Sequence, residues 1–157
     1  MNNSMSKIII NRLKRMNEVH SIESYSINDI NNSILIKPIN DNNKYRIYVE
    51  NFPFKPPIKL EVNDKLVNYA ILSSNVSHII FKYFNAQCLC CQSLFCPNNW
   101  YITNSFSDVI NEYKKFMNII NSANNIKILT DENLGGFNRI PDEIISKIME
   151  FVSNKLR

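Results

Sequence analysis

The stretch FPFKPP at residues 52–57 constrains the fold of this chain more than any other part of its sequence. Its three prolines fix the backbone and remove hydrogen-bond donors, so the stretch fits neither a helix interior nor a central strand. The segments on either side, KYRIYVE at 44–50 and IKLEV at 58–62, alternate apolar with polar residues. Alternation with a single apolar face is typical of half-buried antiparallel strands. The sequence therefore predicts two strands joined by a stiff, proline-rich corner.

Two further segments extend the predicted sheet. SILIKPI at 33–39 places Ile34 and Ile36 on one face, and the turn residues INDNN at 39–43 separate it from the next strand. AILSSNV at 70–76 is predicted to be the last strand. Together with the strands that flank the corner, these segments predict a four-stranded antiparallel meander.

Three segments have the pattern of helices. Residues 7–19 place apolar side chains at helical spacing, and residues 106–120 carry an apolar stripe. Ser105 and Asp108, at the start of that stripe, resemble a capping box, in which side chains satisfy the unpaired amides of a helix start. Pro141, followed by two acidic residues, is typical of the start of a last helix.

The order of helix, four strands, irregular segment and two helices predicts an α+β fold. A length of 157 residues suits a single domain, residues 1–157, with residues 137–157 as a C-terminal helical extension. Since the chain contains only two glycines, neither a Gly-rich phosphate loop nor a dinucleotide-binding fold is expected.

Charge and hydropathy argue against two other classes of function. The net charge is +4, and the Lys and Arg residues do not cluster with aromatic residues, so nucleic-acid binding is not expected. No segment reaches the roughly 18 consecutive apolar residues of a membrane span. The N-terminal MNNSMSKIII lacks the pattern of a signal peptide. The expected location is therefore the cytoplasm, where thiols are kept reduced.

All four cysteines lie within residues 88–96, in a segment that ends at the only tryptophan, QCLCCQSLFCPNNW. In a reducing compartment, clustered cysteines indicate a metal site or a reactive thiol before they indicate a disulfide. A zinc site would use Cys88, Cys91 and Cys96, with His78 as the fourth ligand. Because the segment contains only one C-x2-C pair, its spacing is not that of a paired zinc knuckle.

The proline-rich corner and the cysteine segment together resemble the ubiquitin-conjugating enzyme family. That family has a basic N-terminal helix, a four-stranded meander and a Tyr-Pro-Phe-Lys-Pro-Pro corner before the third strand. Here the corner begins with Phe52 in place of Tyr. Cys91 begins a Cys-x-x-Leu-Phe segment, and Trp100 and a helix follow, as in the family. The resemblance covers roughly residues 6–120.

The resemblance implies an acyltransferase that carries the C-terminal carboxyl group of ubiquitin as a thioester on Cys91, with no metal or organic cofactor. Cys88 is the alternative nucleophile. Leu94 and Phe95 are expected to be buried and to anchor the loop beneath the thiol. For the remaining cysteines, burial as small apolar side chains is expected.

Three further residues have implied roles in the transfer reaction. Asn75 lies in the closest match to the family's His-Pro-Asn and would donate a hydrogen bond to the oxyanion. Asp131 and Glu132 are candidates for accepting the proton of the incoming lysine.

The implied partners are ubiquitin, its activating enzyme, a ubiquitin ligase and a protein substrate. Arg12, Lys14 and Arg15 would contact the activating enzyme; without the family, a solvated helix face is the simpler interpretation of these charges. Phe54 and Pro56 would border the ligase surface. Heavy use of Asn, Ile and Lys indicates an AT-rich genome, such as that of a large DNA virus, for which the host cytoplasm or nucleus is expected.

Two alternatives stay open. Tyr101 and Ile102 stand where the family has Ser-Pro, and an insertion at 77–87 lengthens the segment before the cysteines. These departures suit a catalytically inactive adaptor with the same fold. The other alternative is a small zinc-binding module that uses the cysteine cluster.

Overall fold

The computed structural model of the protein describes residues 5–15, 18–84, 88–130, 141 and 143–147. In chain order its elements are α1 (Met5–Arg15), β1 (Ile22–Asn28), β2 (Ser33–Pro38), β3 (Tyr45–Tyr48), β4 (Lys59–Val62), β5 (Lys65–Leu66), α2 (Tyr69–Ser73), α3 (Ser77–Phe84), α4 (Leu89–Gln92) and α5 (Phe106–Thr130). Short 3-10 turns occupy Glu18–Ser21, Ser74–Val76 and Pro97–Asn99. The predicted α+β class is confirmed.

The strands of the described residues form one antiparallel sheet, in which each strand pairs with the next one along the chain. Ile47 of β3 lies opposite Ile34 of β2 and Leu60 of β4, and all three side chains are buried. Strands β3 and β4 alternate buried with half-buried residues, as the sequence predicts. The antiparallel meander is confirmed for β2, β3 and β4.

The prediction of four strands is wrong, because the described residues form a sheet of five. Strand β1 pairs with β2 through its backbone, but most of its side chains are exposed, so its sequence lacks an apolar alternation. Strand β5 is two residues long and follows a turn at Asn63 and Asp64. Their φ angles of 50° and 61° are typical of a two-residue hairpin turn.

The segment 70–76, predicted to be a strand, is helical and covers most of α2 and the 3-10 turn after it. The buried side chains of this region are Tyr69, Ser73 and Val76, at intervals of four and three residues. Ile71 and Leu72 are both exposed. In a strand, successive side chains point to opposite faces, so one of these two would lie in the core. A spacing of three to four residues is the period of a helix, and it outweighs the alternation that suggests a strand.

The region between the sheet and the long helix is more ordered than predicted. Residues 77–84, expected to be irregular, form α3 and bury Ile79 and Ile80. Helix α5 begins where the sequence predicts and continues ten residues further, to Thr130. At its start, the Ser105 hydroxyl accepts a hydrogen bond from the Asp108 amide, and the Asp108 carboxylate accepts one from the Ser105 amide. The predicted capping box is confirmed.

The chain divides into two compact units. The first contains residues 1–68 and 92–112, with α1, the sheet, the proline-rich corner and the start of α5. The second contains residues 69–91 and 113–157, with α2, α3 and the remainder of α5. Inside the second unit, the rings of Tyr69 and Phe116 pack edge to face, with their centroids 4.8 Å apart. The assignment of residues 1–157 to one catalytic domain stays a prediction.

Little of the predicted C-terminal extension belongs to the described part of the chain. Residues 143–147 are helical, and the Pro141 carbonyl accepts hydrogen bonds from the amides of Ile144 and Ile145. Ile145 is buried. The rest of residues 137–157 lies outside the described residues. Across the ranges that are described, no helix is both long enough and apolar enough to cross a membrane.

Glu61 is the centre of a group of charged and polar side chains on β3 and β4. Its carboxylate accepts hydrogen bonds from the Lys59 ammonium at 2.9 Å and from the Tyr48 hydroxyl at 3.0 Å. The Arg46 Nε lies 3.6 Å from the same carboxylate. These contacts, Lys59 foremost, hold the pKa of Glu61 below its ordinary value of 4.5.

We expect Glu61→Gln to lower the free energy of unfolding at neutral pH, and the difference from wild type to shrink as the pH falls below 4.5. A carboxyl group with a lowered pKa gives stability that is present above its unfolded-state pKa and is lost as the pH falls through its folded-state pKa. Urea unfolding followed by circular dichroism at several pH values measures the difference.

Glu23→Gln is the control, because Glu23 pairs with Lys37 in a more exposed position. That change should alter the free energy of unfolding by less than about 1 kcal/mol. If the effect of Glu61→Gln stays constant across the pH range, the ionised state of Glu61 is not what stabilises the strand pair.

Candidate functional site

The buried side of the proline-rich corner packs against the start of α5 and against Trp100. The Trp100 indole N–H donates a hydrogen bond of 2.8 Å to the Pro53 carbonyl. Phe52, which is 1% exposed, stacks on Phe106 with ring centroids 4.7 Å apart and lies tilted against Trp100 at 6.1 Å. The Phe52–Pro53 peptide bond is cis. The corner is therefore attached to the first unit by one hydrogen bond and by an aromatic cluster.

The outer side of the corner borders an open groove of about 550 Å³. One wall is formed by residues 54–57 of the corner and by Ile58, which follows it. The other wall is formed by Phe95, Pro97 and Trp100. Phe54 is 78% exposed and Ile58 is 62% exposed. Apolar side chains presented to solvent in a groove are the usual composition of a surface that binds another protein or a peptide.

The loop after the cysteine cluster is held by Ser93 and Glu112, two residues that the sequence did not single out. The Glu112 carboxylate accepts hydrogen bonds from the Ser93 hydroxyl and from the Leu94 amide, each at 2.6 Å. The Ser93 carbonyl accepts one from the Asn99 side chain at 3.0 Å, and Ser93 is buried. One sequence signal was available. Glu112 lies three residues after Val109, which is buried on α5, and residues at this spacing share a helix face, so Glu112 is placed near the buried side of the helix.

These contacts correct the expected anchor of the loop. Leu94 and Phe95, predicted to be buried beneath the thiol, are only half-buried, and Phe95 lines the groove. Partly buried hydrogen bonds to a carboxylate hold this part of the chain. Hydrogen bonds of this charge-assisted kind are stronger than those between neutral groups.

The cysteines of the second unit lie close together. Cys88 and Cys90 form a disulfide, with Cα atoms 5.4 Å apart. Cys91 keeps its thiol and is exposed, and its sulfur lies 3.9 Å from that of Cys90. Leu89, between the paired cysteines, is buried and anchors the segment. The expectation of reduced thiols is wrong for Cys88 and Cys90, because their sulfurs are bonded to each other. Their Cα separation lies within the range that a disulfide can bridge.

The two candidate nucleophiles therefore differ in chemical state. A sulfur in a disulfide has no thiol proton and cannot act as an acyl acceptor until it is reduced. Cys88 is in that state, whereas Cys91 has a thiol at the surface. Cys96, in the first unit, also keeps its thiol but is half-buried. The assignment of catalysis to Cys91 stays a prediction.

The predicted zinc ligands are only partly brought together. The sulfurs of Cys88, Cys90 and Cys91 all lie within 4.8 Å of one another. Of the predicted set, the group includes Cys88 and Cys91, and it adds Cys90. Within the described residues, His78 is exposed on α3 and is not part of this group.

Of the three residues with implied roles in transfer, the structure describes Asn75. Asn75 is exposed and lies on the 3-10 turn that follows α2. Val76 of the same turn is buried. Asp131 and Glu132 lie outside the described residues.

Arg12 has a structural role that the sequence did not reveal. Its guanidinium donates hydrogen bonds to the Ile102 carbonyl and, at 3.1 Å, to the Asn104 carbonyl. It therefore links α1 to the loop before α5, and the interpretation of Arg12 as part of a solvated face is wrong. Lys14 is exposed, and the side chain of Arg15 lies outside the described part of the chain.

No family model, no curated protein and no solved structure matches this chain. Its function must therefore be inferred from its own residues and their geometry.

We expect Trp100→Phe to lower the free energy of unfolding by about 1–3 kcal/mol, because it keeps a large ring but leaves the Pro53 carbonyl without its donor. Urea unfolding followed by circular dichroism measures the change. Tyr101→Phe is the matched control: Tyr101 is 67% exposed, and its loss of a hydroxyl should have little effect. Equal unfolding midpoints for the two variants would show that the indole hydrogen bond does not stabilise the corner.

Proposed function

We propose that this protein is a ubiquitin-conjugating enzyme that carries ubiquitin as a thioester on Cys91. The observation that carries the proposal is the proline-rich corner at 52–57, set between two strands of an antiparallel meander and bonded to Trp100. The corner and the tryptophan are the parts of the sequence that most resemble the family, and the Trp100–Pro53 hydrogen bond joins them.

The order of elements also supports this function. Helix α1 comes first, strands β1–β4 follow as a meander, and the cysteine segment, Trp100 and α5 come after it. The corner precedes β4, one strand later than predicted, because the sequence does not predict β1. With β1 counted, strands β1–β4 equal in number the four-stranded meander that the resemblance implies, but the corner then precedes the fourth strand and not the third, and β5 is an addition.

The chemistry requires an exposed thiol. The Cys91 thiolate attacks the thioester carbonyl that joins ubiquitin to its activating enzyme; a new C–S bond forms, and the enzyme's thiolate leaves. In the second step, a lysine amine attacks the Cys91 thioester, a C–N bond forms, the Cys91 thiolate leaves and the amine loses a proton. ATP is consumed earlier, by the activating enzyme. The exposure of Cys91 suits a thiol that must reach two macromolecules in turn.

Asn75 is the proposed donor to the oxyanion of the second step. A well-placed donor of this kind is worth about 2.7–4 kcal/mol of transition-state stabilisation. Since Asn75 is exposed, its amide is accessible to the acyl group of a bound ubiquitin. Asp131 and Glu132 are the proposed proton acceptors.

The groove beside the corner is the proposed docking surface for a ligase. Phe54 and Ile58 present apolar groups to solvent there, and Lys55 adds a positive charge at the rim, 3.7 Å from Glu50. The activating enzyme would contact α1 through exposed Lys14, since Arg12 is occupied by loop carbonyls.

We expect the protein, mixed with activating enzyme, ATP and ubiquitin, to gain the mass of one ubiquitin on a non-reducing gel. The added mass should disappear on treatment with a thiol reagent, since a thiol cleaves a thioester. Cys91→Ala should abolish it, because the acyl acceptor is removed. A phosphine reductant keeps the cysteines reduced during the assay without cleaving the thioester, and the buffer is freed of thiophilic metal ions so that none competes for Cys91.

Cys96→Ala is the matched control and should charge like the wild type. If Cys88→Ala abolishes charging while Cys91→Ala does not, the enzyme class is right and the nucleophile is wrong. If the wild type does not charge at all, the proposed activity is refuted, and retained binding to a ligase would then favour the inactive adaptor.

We expect Phe54→Ala to leave thioester formation unchanged and to slow ligase-stimulated discharge by at least about tenfold. Removing a central aromatic anchor from an interface costs more than about 1–2 kcal/mol, and 1.4 kcal/mol is tenfold. Screening a panel of ubiquitin ligases with the charged wild type identifies one that accelerates discharge to free lysine, and the variants are then compared with that ligase.

Ile30→Ala controls for the loss of an exposed apolar side chain, because Ile30 is 97% exposed at the turn between β1 and β2. It should discharge at the wild-type rate. Equal slowing by both variants would mean that the groove is not the docking surface.

A further inference from the structure

The three sulfurs at 88–91 form a cluster that thioester chemistry alone does not explain, since one thiol is sufficient for it. We propose that Cys88, Cys90 and Cys91, once the disulfide is reduced, bind one thiophilic closed-shell cation, Zn²⁺ or Cu⁺, through three thiolates. Metal binding here does not require the protein to transfer ubiquitin, although the site shares Cys91 with that proposed reaction. It differs from the zinc site that the sequence suggests, because it uses Cys90 and does not use His78.

The distances between the sulfurs suit such an ion. A Zn–S bond of 2.3 Å in tetrahedral geometry places two ligand sulfurs about 3.8 Å apart. The sulfurs of Cys90 and Cys91 are 3.9 Å apart, and the three sulfurs lie within 4.8 Å of one another. When the disulfide opens, Cys88 and Cys90 have only to separate to the same distance. The ligand atoms are therefore close to their binding positions before any ion arrives.

The backbone around the cluster also favours this arrangement. Leu89 is 1% exposed and lies between two of the three ligands in the sequence. Cys88 and Cys90 are half-buried, and Cys91 is exposed. Three protein ligands with one side open to solvent leave a fourth position for water on Zn²⁺, while Cu⁺ needs no fourth ligand.

Conversion of the disulfide into the metal site begins with a two-electron reduction. A dithiol or phosphine reductant supplies two electrons, the S–S bond between Cys88 and Cys90 breaks, and each sulfur takes up one proton. The cation then replaces the protons of the three thiols, because thiolates are the metal ligands. Metal affinity should therefore rise with pH and should be lost when the disulfide forms.

One consequence rests on the proposed function. A sulfur that is bound to a metal cannot at the same time hold an acyl group, so an ion in this site would prevent the charging of Cys91. Metal binding itself is measured without ubiquitin, so a failure of this site and a failure of the conjugating activity are distinguishable.

The experiment uses the full chain, reduced with a phosphine under anaerobic conditions and freed of metal. Zn²⁺ is titrated in competition with a chromophoric zinc chelator, and Cu⁺ is titrated separately against a chelator specific for Cu⁺. We expect one equivalent to bind in at least one titration, with sulfur-to-metal charge-transfer absorption when Co²⁺ replaces Zn²⁺. Cys90→Ser should lower the affinity by about two orders of magnitude, because one of three thiolates is lost.

Cys96→Ser is the matched control and should bind as tightly as wild type, since Cys96 is not a ligand. The wild-type chain with its disulfide intact should bind the metal ion far more weakly than the reduced wild-type chain. Because this comparison uses only the wild type, it does not depend on whether a variant folds. The proposal is overturned if the reduced and oxidised chains bind equally, if the reduced chain binds no ion, or if Cys96→Ser weakens binding as much as Cys90→Ser does.

Discussion

The hydrogen bond from the Trp100 indole to the Pro53 carbonyl joins two stretches of chain that are 47 residues apart. Pro53, Pro56 and Pro57 have no amide donors, so the corner cannot be held by a strand ladder as its flanking strands are. Side chains from elsewhere attach it instead: Trp100 donates to the Pro53 carbonyl, and Trp100 and Phe106 pack against Phe52 of the corner. The two walls of the groove are the corner itself and the loop that contains Trp100, so the groove depends on this contact.

The features predicted correctly from the sequence are those that depend on local patterns. Strands β3 and β4 follow from a period of two, and the capping box of α5 follows from the spacing of Ser105 and Asp108. The features predicted wrongly are those where local pattern is weak or ambiguous. Strand β1 exists because its backbone pairs with β2, and its exposed side chains carry no apolar signal.

The candidate site depends more on tertiary contacts, and less of it could be predicted. The composition of QCLCCQSLFCPNNW predicted a chemically active segment, but not the disulfide between Cys88 and Cys90, which requires a separation of their Cα atoms that only the folded chain defines. The spacing of Glu112 from the apolar stripe of α5 places it near the buried face of the helix, but that spacing does not predict that its carboxylate accepts hydrogen bonds from the loop. Arg12 illustrates the same limit, since a basic residue on a helix has the same pattern whether it contacts solvent or loop carbonyls.

Three neighbouring sulfurs allow more states than one sulfur does, and the states compete. In the disulfide state, Cys88 and Cys90 use each other as partners, and Cys91 is the sulfur of the cluster that keeps a thiol. Under the two proposals, this is a state in which Cys91 can accept an acyl group but the cluster cannot bind a metal. Reduction reverses the balance, since it supplies two more thiolates that bind an ion together with Cys91. The oxidation state of Cys88 and Cys90 would thus determine whether the exposed thiol is a nucleophile or a ligand.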